Sequence, residues 1–139
     1  YNAPVILQHS KGTPETMQVS PQYENLMDEI FFSLREKIIK ARTSGIENII
    51  IDPGIGFGKT AAHNVEIIKR IGELKSLGCP IMLGASRKSF LGVEGNDNDL
   101  KDSLTLAYNA LAIQAGVDYL RVHNVRLHKK FLESAYTRG

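Results

Sequence analysis

Four times along this chain a short apolar run is followed by a segment whose apolar residues recur every three or four positions. The runs are Val5-Ile6-Leu7, Ile49-Ile50-Ile51, Ile81-Met82-Leu83 and Tyr119-Leu120-Arg121-Val122. Each is bounded by turn-forming residues and reads as a buried strand. Leu26, Ile30, Leu34 and Ile38 form one apolar stripe; Val65, Ile68, Ile71 and Leu74 form a second; Leu104, Ala107, Leu111 and Ala115 form a third. Each stripe predicts a helix. Ser20 before Pro21 is read as the N-cap and first position of the first helix, and Gly45, Gly78 and Gly116 as the three stops. A last helix is expected over 126–135. Strand and helix in strict alternation imply parallel strands joined by right-handed crossovers, in an open doubly wound sheet or in part of a closed barrel. Periodicity does not choose between them, but a (β/α)8 barrel takes about 250 residues, so four units are about half of one.

Composition narrows the classes of function. With 42% hydrophobic residues in 139 the chain can bury a core. The 17 Lys+Arg stand against 15 Asp+Glu in a mixed pattern, which gives no footprint for nucleic acid. A single cysteine, Cys79, allows no intrachain disulfide and no thiolate metal cluster, which fits a reducing, cytoplasmic setting. No apolar run reaches the ~18 residues of a membrane span, and the N-terminus lacks a secretory pattern. No linker or repeat divides residues 1–139, which read as a single domain. A first residue Tyr1 instead of Met, with a strand pattern close behind it, suggests that chain upstream has been removed.

In both α/β architectures ligands gather beyond the C-terminal ends of the strands. Those ends read Gln8-His9-Ser10-Lys11-Gly12, Asp52-Pro53-Gly54-Ile55-Gly56-Phe57-Gly58-Lys59, Gly84-Ala85-Ser86-Arg87-Lys88-Ser89 and Arg121-Val122-His123-Asn124. Gly58-Lys59-Thr60 matches the end of a phosphate-loop pattern, but its first glycine is Pro53, and the dinucleotide pattern fails at Lys59. Asp52 reads either as a turn cap or as a carboxylate able to accept two N–H bonds from an amidine edge such as that of a guanine or pterin. Ser86 to Ser89 should open a short helix, as a solvated basic turn or as a cationic anion site. Arg121 and His123 lie two apart and share a strand face. An Arg in a buried strand needs an anion, whether a ligand or an acid such as Asp52, and the reading favours a ligand. His9, His63 and His128 have no metal-ligand spacing, and Cys79 reads as packing.

Taken together, the Asp52 to Lys59 segment, Ser86-Arg87-Lys88-Ser89 and Arg121-Val122-His123 resemble dihydropteroate synthase in order and spacing. His9 to Gly12, Thr13, Pro14 and Thr16-Met17-Gln18 extend the resemblance to all four units. The family is a TIM (β/α)8 barrel, and the resemblance implies that this chain supplies strands five to eight as a pterin-binding half. It implies condensation of 6-hydroxymethyl-7,8-dihydropterin diphosphate with 4-aminobenzoate, giving 7,8-dihydropteroate and diphosphate with Mg2+ assisting. By the same resemblance Asp52, Gln8, Phe57, Gly84 and Lys88 would bind pterin, and Arg121 and His123 diphosphate. Ser89 and Lys88 would bind 4-aminobenzoate, while Lys88, Arg121 and His123 would act in catalysis. No metal ligand is assigned to this chain, and the full-length protein is expected to be a homodimer. Gln8 stands where Met is usual and Asn124 where Asp is common. The family's first half, which completes the pterin and Mg2+ sites, has no counterpart here, so the chain alone is expected to be poorly active or inactive. The alternatives are a pterin-binding methyltransferase barrel, against which the Ser-Arg-Lys-Ser and Arg-x-His motifs speak, and a non-catalytic half-barrel that self-associates.

Overall fold

The structure is a computed structural model that describes residues 3–13, 15 and 19–136. Pro14, Thr16, Met17 and Gln18 lie outside the described residues. Strand β1 spans Val5–Gln8, β2 Ile49–Asp52, β3 Met82–Leu83 and β4 Tyr119–Leu120. β1 and β2 pair in parallel with Val5 opposite Ile49 and Gln8 opposite Asp52. β3 and β4 pair in parallel through Met82 with Tyr119 and Leu83 with Leu120. A parallel bridge from Ile51 to Ile81, with Ile51 N donating to Pro80 O at 2.9 Å, joins the two pairs. The strands therefore follow chain order with no reversal. A doubly wound sheet reverses its order at the ligand crevice, whereas sequential right-handed units put every helix on one face, as in a barrel wall. Among the described strands, β1 and β4 each have a single neighbour.

Helix α1 covers Leu26–Thr43 and buries the expected stripe of Leu26, Ile30, Leu34 and Ile38. Its start differs from expectation. Asn25, in extended conformation, accepts from Asp28 N and is the N-cap, whereas Ser20 has φ +45° and lies five residues before that cap. Asp28 and Glu29 in the first turn, and Lys40 and Arg42 in the last, complement the helix dipole. Helix α2, Ala61–Arg70, opens on a capping box in which Thr60 and His63 satisfy one another's backbone N–H. It tightens into a 3-10 segment, Ile71–Leu77, that stops at Gly78, as expected. Ile68, Ile71 and Leu74 are fully buried and pack with Ile51, Ile81 and Leu83 of the sheet.

Helix α3, Asn98–Gln114, corrects the third stripe. Its buried face is Asp102, Thr105, Asn109 and Ala112, while Ala107 and Leu111 are exposed and Leu104 and Ala115 half-buried. The inward face is polar because polar partners meet it: Arg87 against Asp102 and Thr105, and His128 against Asn109. Helix α4, Val125–Tyr136, matches the last expected helix within a residue at each end, with His128 its buried residue. No helix among the described residues is long and apolar enough to cross a membrane.

Candidate active site

The parallel register brings the four C-terminal strand ends together, and the β2 end is the most tightly organised of them. Asp52 is 1% exposed. Its Oδ1 accepts from Gly54 N at 2.7 Å, while Oδ2 accepts from Gln8 Nε2 at 3.2 Å and from Arg121 Nη2 at 3.1 Å. The carboxylate is thus a turn cap through Oδ1, as one of the two readings required, and holds Gln8 and Arg121 through Oδ2. Arg121 and His123 lie beyond β4 and not on a strand face, which corrects another expectation. β4 ends at Leu120, and the Arg121 side chain, half exposed beyond it, meets Asp52 as its ion-pair partner.

The glycine loop after Asp52 is shaped by close approach. At Gly54, with φ +76°, a Cβ would stand 1.8 Å from His9 O, so only glycine lets β1 and β2 run this close at their ends. Asn64 Oδ1 of α2 accepts from Gly56 N at 2.9 Å, and Tyr23 Oη donates to Gly58 O at 2.7 Å. Beneath the loop Lys59, 4% exposed, donates to Phe57 O and to His9 Nδ1, each at 2.9 Å. Burial, opposed by the Asp52 charge, pulls the Lys59 ammonium down to about 7. Burial and then the Lys59 charge pull His9 down to about 3, so at neutral pH its imidazole is uncharged and accepts through Nδ1.

Lys88 reaches back over this loop. Its Nζ donates to Ile55 O and lies 4.6 Å from the Phe57 ring centroid, a cation–π contact. Burial lowers the Lys88 pKa, with the Asp52 charge opposing the shift. Gly84, at the β3 end, leaves room for Arg121, whose Nη2 would be 2.7 Å from a Cβ there. Ser86 Oγ lies 2.9 Å from His123 Nδ1 and accepts from His123 N at 3.1 Å. Gly84, Ser86, Lys88, Arg121, Val122 and His123 together line a cleft of about 240 Å³. That is below the ~300–1,000 Å³ of small-molecule sites.

Two residues of the basic motif behave otherwise than expected. Arg87 turns away from the cleft and forms a two-pronged ion pair with Asp102, at 2.7 and 2.9 Å, instead of awaiting an anion. Ser89 begins the single 3-10 turn Ser89–Leu91, as the short-helix reading required, but is exposed and outside the cleft lining. Residues passed over in the sequence include Asn64 and Asp102, which secure loops from helices, and Lys59, whose buried contact with His9 spans 50 positions. A buried polar residue on a helix leaves only a faint signal, a gap in an apolar face. A larger, mainly apolar cavity of about 810 Å³ runs along β4 between α3 and α4, lined in part by Ile113, Leu120, Val125 and Leu132.

Among the described residues no cluster of three His, Cys, Asp or Glu side chains could hold a metal. The two acids nearest the cleft, Asp52 and Asp102, have their oxygens taken by guanidinium and amide donors. This donor set does not fit Mg2+, whose ligands are hard oxygens in octahedral array.

The chain is similar to known proteins over nearly its whole length. A dihydropteroate synthase of Synechocystis is 44% identical across 90% of this chain and 45% of its own. The crystal structure of the Yersinia pestis dihydropteroate synthase with a sulfonamide drug complex superimposes with a TM-score of 0.90 at 30% identity, covering 99% of this chain and 53% of that one. The Thermus thermophilus enzyme in complex with 4-aminobenzoate superimposes at 0.86 with 32% identity, over 94% of this chain and 56% of that one. The chain thus spans about half the length of the curated relatives it matches. The α/β fold is that of part of a dihydropteroate synthase barrel. The family model for pterin binding enzymes matches residues 1–123, and the chain belongs to that family.

Proposed function

We propose that this chain forms the C-terminal half, strands five to eight, of a dihydropteroate synthase barrel, a single pterin-binding unit over residues 1–139. The observation that carries the reading is that Arg121 joins a buried carboxylate, Asp52, to a cleft that Lys88 and His123 also line, at adjoining strand ends. Asp52 would accept from the amidine edge of a pterin on the oxygen that Gln8 and Arg121 hold here, these two donors giving way, and Gln8, Phe57, Gly84 and Lys88 shape the surrounding wall. The Thermus thermophilus enzyme, solved with 4-aminobenzoate and with 6HMPPP, supports this assignment of substrates.

In the proposed reaction the amine nitrogen of 4-aminobenzoate attacks the pterin methylene carbon as its C–O bond breaks. The bonding electrons pass to the diphosphate oxygen, and the nitrogen, positively charged on bonding to carbon, gives up one proton to water. Arg121 and His123 stabilise that developing charge, and Lys88 adds positive potential from its place over Phe57. Ser89, exposed at its turn, is proposed to meet the aminobenzoate carboxylate. Mg2+, expected from the resemblance, finds no ligand set in the described part of this chain and would be held from elsewhere. The open β1 and β4 edges and the small cleft support little or no turnover by the 139 residues alone. That the active form is a longer, cytoplasmic and homodimeric protein is proposed from the resemblance alone.

Titration of pterin into the chain tests the reading. Asp52→Asn removes a charged acceptor and should weaken pterin binding about 10-fold or more, since a hydrogen bond to a charged group contributes about 1.5–3 kcal/mol. Equal affinity in the two proteins, or steady diphosphate release by the chain alone, contradicts the proposal. A reaction that needs no 4-aminobenzoate and passes a methyl group would favour a pterin-dependent methyltransferase.

A further inference from the structure

We propose that Asp102 is a positioning residue: from helix α3 it clamps the loops after β3 and β4 together, so that Ser86 and Lys88 from one and Arg121 and His123 from the other face a single cleft. Its functional consequence rests on the reading of that cleft as a diphosphate site.

Asp102 is 3% exposed and lies outside the cleft lining. Its Oδ1 accepts from Arg87 Nε at 2.7 Å, and its Oδ2 from Arg87 Nη2 and from Asn124 Nδ2, both at 2.9 Å. Arg87 stands between Ser86 and Lys88, and Asn124 directly follows His123. One carboxylate therefore grips both loops at the residues next to their cleft-lining members. The grip on the β3 loop is double, since Arg87 N donates to Thr105 Oγ1 at 3.2 Å, one turn along α3. Arg87 also has φ +56°, a left-handed conformation unfavourable for a residue bearing a side chain, which this pair of contacts offsets. Asn124 suits the clamp because an amide both donates and accepts. Nδ2 reaches Asp102 while Oδ1 caps α4 by accepting from Leu127 N at 3.0 Å. What the clamp preserves is the contact between Ser86 and His123.

Electrostatics makes the test sharp. Asp102 is a negative charge behind a cationic cleft, so neutralising it would strengthen anion binding if it acted through its field alone. As a clamp it acts in the opposite direction. In the 139-residue chain, Asp102→Asn is expected to weaken binding of inorganic diphosphate about 10-fold by calorimetry, the scale of a loop displaced by a fraction of an ångström to 1 Å. The proton NMR contacts between Ser86 and the His123 ring should fade with it. The double variant Asp102→Asn with Asn124→Asp, which moves the carboxylate across one hydrogen bond, should restore both in part. Arg87→Lys keeps the charge but loses the fork, and gives the same test if Asp102→Asn does not fold. Unchanged or tighter diphosphate binding with the Ser86–His123 contacts intact overturns the clamp. If the parent chain binds no diphosphate, the functional reading of the cleft fails, and the Ser86–His123 contacts in the variants still decide the clamp: their loss upholds it and their persistence refutes it.

Discussion

At the scale of single residues, the buried pair of Lys59 and His9 makes the fold sensitive to pH. Both are bases held below their ordinary values, at about 7 and about 3, by burial. Between its folded and unfolded pKa each therefore binds more protons when unfolded, and stability rises with pH across that window. His9 should contribute rising stability from about pH 3 to its ordinary value near 6.5, and Lys59 from about 7 to its ordinary value near 10.5. Urea unfolding as a function of pH measures this, and Lys59→Met should flatten the alkaline slope. Gly54 gives a second prediction. Gly54→Ala drives a Cβ into His9 O, whereas at Gly78, with similar φ, a Cβ meets nothing within 4 Å. Gly78→Ala should cost about 1–2 kcal/mol of left-handed strain, and Gly54→Ala distinctly more, visible as a lower Tm and loss of pterin binding.

At the scale of elements, the helices divide between those that read from their apolar stripe and one that does not. α1 and α2 bury aliphatic rows against the sheet, so period and burial agree. α3 turns Asp102, Thr105 and Asn109 inward because the β3 loop and α4 present Arg87 and His128 to it. A hydrophobic count assigns such residues to solvent and chooses the wrong face. Consequently Leu111→Gln, on the face the stripe predicted to be buried, should change stability by no more than about 0.5 kcal/mol. Ala112→Leu, one residue along and fully buried, should cost about 1–3 kcal/mol through overpacking. Thermal unfolding of the two variants separates the faces. Thr60→Ala, which removes the capping box of α2, should cost about 1 kcal/mol by the same measurement.

At the scale of the whole molecule, four parallel strands in chain order leave one edge of β1 and one of β4 without a neighbour among the described strands. Ile6 on β1 is 43% exposed and Tyr119 on β4 is 47%, and the apolar cavity beside β4 adds to that surface. Unpaired, apolar strand edges invite pairing. The chain should therefore self-associate with rising concentration in sedimentation velocity, and Ile6→Lys or Tyr119→Lys should shift it toward monomer. Concentration-independent monomer in the parent chain would contradict this account of the edges.

The sequence by itself determined the alternation of strands and helices, the strand ends at which polar residues collect, and the identity of Asp52, Lys88, Arg121 and His123 as candidates. These are local or periodic properties, set by side-chain period, turn chemistry and motif spacing. Only the tertiary structure decided the order of the strands, the inward face of α3 and the start of α1 at Asn25 in place of Ser20. It alone decided that Arg87 answers to Asp102 while Arg121 answers to Asp52, because packing sets which acid is brought near each arginine. The pairs that organise the site, Asp52 with Arg121 and Lys59 with His9, lie 69 and 50 positions apart in the chain. A contact over that separation has no local signature; it exists because parallel pairing sets the strand ends side by side.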